Sequence, residues 1–74
     1  MIKYEVWSAT KTEKGGQHVG TGPNGVRGTH YIGDYPTGIR ADCEYFRSQH
    51  QNRNAVREMI EWACALAKVD PDAD

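Results

Sequence analysis

Seven of the eight glycines in this chain fall between Gly15 and Gly33, and only Gly38 lies beyond them. Glycine costs backbone entropy inside a regular element and serves turns and close approaches. The residues after Gly38 are glycine-free and amphipathic. A turn-rich, strand-forming front and a helical back are therefore expected, which together make a small α+β domain. The 74 residues are enough for one domain, 1–74, whose core is too small to surround a large catalytic cleft.

Along the front, residues 2–9 alternate, with Ile2, Tyr4 and Val6 on one face and Lys3, Glu5 and Trp7 on the other. That period belongs to a half-buried strand. Gly15-Gly16 fits a hairpin turn from which residues 17–19 pair back. Asn24-Gly25 suits a second hairpin tip, strand character resumes over 29–33, and Pro36 closes it. Thr37 is the expected cap of a first helix, with Ile39, Cys43 and Phe46 on one stripe. A second helix begins near Asn54 and carries Val56, Ile60, Ala63 and Ala67, broadened by Met59 and Leu66. Asp70-Pro71 stops it, and 70–74 form a frayed acidic tail. The predicted order is β-β-β-α-α: a three-stranded antiparallel sheet with one or two C-terminal helices packed on one face.

Ten acidic residues face nine Lys and Arg, so the chain has neither the basic excess of a dedicated nucleic-acid binder nor a dense acidic field. Cys43 and Cys64 have no CxxC neighbour and read as reduced, buried thiols. The start of the chain lacks the apolar run of a signal peptide, and no stretch has the ~20 apolar residues of a membrane span. A cytoplasmic protein with no membrane partner is expected. His18, His30 and His50 with Cys43 match no familiar ligand spacing, so neither metal nor cofactor is predicted.

Gly20-Thr21-Gly22-Pro23-Asn24-Gly25 matches G-x-G-x-x-G by letter, but strand residues follow it where a dinucleotide site needs a helix. Tyr31-Ile32-Gly33 followed by Arg40 resembles the second half of the GIY-YIG nuclease motif. That resemblance would make Glu58 or Glu61 the metal-binding glutamate. Its first half is missing, since Ile2-Lys3-Tyr4 has no glycine. Residues 31–46, YIGDYPTGIRADCEYF, resemble the strand-to-helix passage of ethylene-response-type DNA-binding domains through Gly33, Tyr35 and Thr37. The resemblance implies a three-stranded sheet that reads DNA with strand arginines. For that role the front half offers only Lys3, Lys11, Lys14 and Arg27.

Trp7, Tyr35 and Trp62, with Arg40, Arg47, Arg53 and Arg57, are residue types that dominate protein interfaces. The composition therefore points to a non-enzymatic, protein-binding module. A phage or mobile-element accessory protein that occludes a larger host protein or ribonucleoprotein, in the manner of an anti-CRISPR inhibitor, fits that type. A nucleic-acid binder working through the sheet is the alternative, and homodimerisation is a further option for so small a core.

Overall fold

The computed structural model of the chain describes residues 1–7 and 24–73. Within them the order is β1 (Ile2–Trp7), β2 (Gly25–Ile32), β3 (Tyr35–Cys43) and one helix, α1 (Gln49–Ala67). The strands form one antiparallel sheet in the order β1-β2-β3. The α+β class and the three-stranded sheet match the sequence reading. The Gly15-Gly16 turn and the pairing of 17–19 lie outside the described residues.

Several assignments differ. Residues 37–43, read as the first helix, are strand: Ile39, Ala41 and Cys43 pack on the core while Arg40 and Asp42 face away. Ile39 and Cys43 satisfy a four-residue and a two-residue period equally, and Ala41 between them decides for the strand. Thr37 therefore caps no helix. Pro36 does not end the sheet, because β3 is an edge strand, where proline is tolerated. The tight hairpin lies at Gly33-Asp34, joining β2 to β3, and Asn24-Gly25 instead opens β2. Gly33 takes φ +62°, a conformation that glycine adopts without penalty.

The helix begins at Ser48, whose Oγ accepts from the Gln51 N–H at 3.3 Å. It ends at Lys68, left-handed at φ 60°, where Val69 N–H donates to Cys64 O at 3.0 Å. Its inner stripe is Asn52, Val56, Ile60 and Cys64, spaced by four, so Cys64 and not Ala63 or Ala67 lies at the core. Val56 and Ile60 rest on Gly28 of β2. A Cβ there would come within 2.7 Å of Val56 Cγ1 and 2.9 Å of Ile60 Cδ1. Val26 completes the buried apolar set, and Ile2, Tyr4, Ile39, Ala41 and Cys43 close around it.

Residues 70–73 are bonded to Met1, α1 and β2. Met1 N–H donates to Ala73 O at 2.5 Å, and Arg57 holds Asp72 at 3.0 Å. His30, fully buried, brings Nε2 to 3.2 Å from Asp70 O and Nδ1 to 3.0 Å from Thr37 Oγ1.

Candidate functional site

One sheet face is covered by α1; the other is left open by the described residues, and the strand register arranges its side chains in cross-strand rows. Lys3, Thr29 and Arg40 form one row. Glu5, Arg27 and Asp42 form the next, and Trp7 lies across Gly25 beyond it. On the far side, Tyr31 faces Pro36. The two central rows line a shallow depression bounded by Glu5, Arg27, Thr29, Arg40 and Asp42.

Rings hold two of these cations against the sheet. Lys3 Nζ sits 4.6 Å from the Tyr31 ring centre, and the Arg27 guanidinium 5.3 Å from that of Trp7. Arg27 also meets Asp42 at 3.3 Å, with both side chains about half exposed, so the pair contributes little stability. Trp7 lies so close to Gly25 that a Cβ there would approach its ring to 2.6 Å. Glycine is thus required where the last row is formed.

At that end of the sheet the chain leaves β1 and returns at Asn24, and a buried amide secures the return. Asn52 Nδ2 donates to Asn24 O at 2.6 Å and to Phe46 O at 2.9 Å. Its Oδ1 accepts from Phe46 N–H at 3.0 Å and from the Cys43 thiol at 3.3 Å. Asn24 Nδ2 reaches Phe46 O as well, at 3.0 Å. The start of β2, the loop after β3 and the first turns of α1 are thereby tied together.

No group of three His, Cys, Asp or Glu among the described residues could hold a metal ion. Both His30 nitrogens are engaged, and burial pushes the Cys64 thiol up, away from the reactive thiolate. Asp72 first, then Glu61, push the Arg57 guanidinium further up, which leaves it a permanent cation.

The residues singled out for partner binding are distributed over several surfaces. Trp7 and Arg40 share the open sheet face. Tyr35, largely exposed, stands at the β2–β3 hairpin, and Arg47 lies in the loop before α1. Trp62 is 67% exposed on the outer side of α1, with Met59 and Leu66 nearby on the helix. Arg53 packs its guanidinium 4.4 Å from the Tyr4 ring, and Arg57 is engaged by Glu61 and Asp72. Thr29 and Asn52 are absent from the sequence reading, where Lys3 stands only among the few cations of the front half. The period-two spacing of Lys3 with Glu5 and of Arg27 with Thr29 signals a shared face, but the row becomes visible only once 35–43 is read as strand.

No family model matches the chain, and no solved structure matches it. Among curated proteins it is similar to the peptide chain release factor 2 of Helicobacter pylori (strain Shi470), with 37% identity over 60 residues. The match covers 81% of this chain and 15% of the relative, so the chain spans under a sixth of that protein's length. A stretch of 60 residues in a chain of 74 contains residues 15–60 wherever it begins. The glycine-rich segment from Gly15, β2, β3 and α1 as far as Ile60 therefore all lie within it. No helix among the described residues is long and apolar enough to cross a membrane.

Proposed function

We propose that this chain acts in peptide-chain release, cleaving the ester that joins a polypeptide to tRNA. The observation that carries the reading is the span of the match, which includes residues 15–60 and so joins the glycine-rich segment to the sheet and helix that support it. In such a cleavage a water oxygen bonds to the ester carbonyl carbon. The bond to the ribose oxygen breaks, and that oxygen takes up the proton. The reaction needs a positioned water and donors for the oxyanion that forms on the carbonyl oxygen.

Among the described residues His30 and Cys64 are committed to the core, and we assign these groups to segment 8–23. Its sequence Gly15-Gly16-Gln17-His18 is suited to the task. Consecutive glycines let backbone approach a ligand closely, and the Gln17 amide both donates and accepts without titrating. Lys11 and Lys14 in the same segment favour an RNA-borne substrate. It differs from the non-enzymatic reading that composition favours.

The test is release of labelled peptide from ribosomes carrying peptidyl-tRNA. The wild-type chain is expected to free the label, and Gln17→Ala to slow release by roughly a hundredfold, the scale of losing one oxyanion donor. A folded wild-type chain that frees no label rejects the reading.

A second reading, an inhibitor of anti-CRISPR type that occludes a larger host complex, is favoured by exposed Trp62 and Leu66 on the outer side of α1. It predicts that Trp62→Ala abolishes capture of a CRISPR effector while leaving peptide release unchanged. Absence of any capture by the wild-type chain rejects it.

A further inference from the structure

We infer that the edge of β1 is a self-association surface. A second copy of this chain adds its own β1 there, antiparallel, about a two-fold axis at Tyr4. The inference is independent of the release reading and uses the described residues alone.

A three-stranded sheet has two edges, and these two differ. The β3 edge is blunted: Pro36 has no N–H to offer, Gly38 takes φ +92°, and the register against β2 breaks between Thr29 and Tyr31. β1 has none of these guards. It contains neither proline nor glycine and pairs with β2 in unbroken register from Ile2↔His30 to Trp7↔Gly25. Among the described residues no strand lies beyond it.

Hydrogen bonding decides which groups that edge presents. Met1 and Tyr31 exchange both main-chain bonds, Met1 N–H to Tyr31 O at 3.0 Å and Tyr31 N–H to Met1 O at 2.8 Å. Bonded and non-bonded pairs alternate along an antiparallel ladder. Lys3, Glu5 and Trp7 therefore bond to β2, while Ile2, Tyr4 and Val6 direct N–H and C=O outward. With the axis at Tyr4, Tyr4 pairs with the partner's Tyr4 and Ile2 with the partner's Val6. Every outward N–H then meets a carbonyl.

The side chains select the same register. Opposed residues share a sheet face, so Lys3 meets the partner's Glu5, and Glu5 the partner's Lys3. These are non-bonded positions of the new pair, where side chains lie closest. A row of alternating sign results, running from Asp42 through Arg27 and Glu5 to the partner's Lys3. Within one chain Lys3 and Glu5 are exposed, and neither has an ion-pair partner among the described residues. On the inner face Val6, 47% exposed, comes against the partner's Ile2. α1 packs chiefly over β2 and β3, which leaves room there for a neighbour.

Pairing of two short strands buries little area, so sedimentation equilibrium of the full chain is run from about 10 to 500 μM. The apparent mass is expected to rise from 8.3 kDa towards twice that value. Lys3→Glu and Glu5→Lys each turn both cross-pairs into like charges and should weaken the dimer at least about fivefold. Mixing the two variants restores both pairs, so the mixture should associate as tightly as wild type. The double exchange Lys3→Glu/Glu5→Lys should do the same. A wild type that stays at 8.3 kDa throughout overturns the inference and leaves the edge to a strand of another protein. A dimer that both single variants leave intact overturns it too, as does a mixture that associates no better than its components.

Discussion

Asn52 shows how much of a small core can depend on one polar side chain. It is fully buried and its amide makes four hydrogen bonds, to Asn24, Cys43 and both main-chain groups of Phe46. Asn52→Ala strands those groups without water, and we expect a loss of about 3 kcal/mol, read as a lower urea midpoint. Gly28 makes the opposite demand, for no side chain at all. Gly28→Ala drives a methyl into Val56 and Ile60 and should cost about 1–3 kcal/mol by the same measurement. Neither role could be read from the sequence. A buried asparagine looks like a surface residue until its partners are known, and Gly28 is one among many glycines until α1 is laid across it. The cysteines differ in the same residue-level way. Cys43 is half-buried and Cys64 fully buried with its thiol pushed up, so iodoacetamide should label Cys43 first.

Elements were legible where their period was unambiguous. Strand β1 shows itself through Ile2, Tyr4 and Val6, and the core stripe of α1 through Val56 and Ile60. Strand β3 was not, since Ile39 and Cys43 satisfy both periods and Pro36 looks like a stop. Only its pairing with β2 at the sheet edge makes it a strand. The end of α1 was placed near Asp70-Pro71, but Lys68 terminates it in a left-handed conformation that glycine usually takes. Lys68→Gly should therefore stabilise the protein by about 1 kcal/mol, measured as a raised melting midpoint.

For the whole molecule, the sheet divides the labour. Its covered face carries the core, with Val26 and His30 buried against α1 and the 70–73 segment. Its open face carries the charged rows and meets, at one end, the points where segment 8–23 departs and returns. The α+β class was legible as a glycine-rich front and an amphipathic back. The open face was not, because the grouping of Lys3, Thr29 and Arg40 depends on a register that no single strand contains. Interface residues chosen by type alone, such as Trp7 and Trp62, fall on different surfaces for the same reason.

The most direct measurement is the rate at which the chain frees labelled peptide from ribosome-bound peptidyl-tRNA, compared between wild type and Gln17→Ala. Rapid release that falls roughly a hundredfold with the substitution, at unchanged far-UV circular dichroism, is the predicted result. Equal rates in the two proteins, or none from either, would contradict the account.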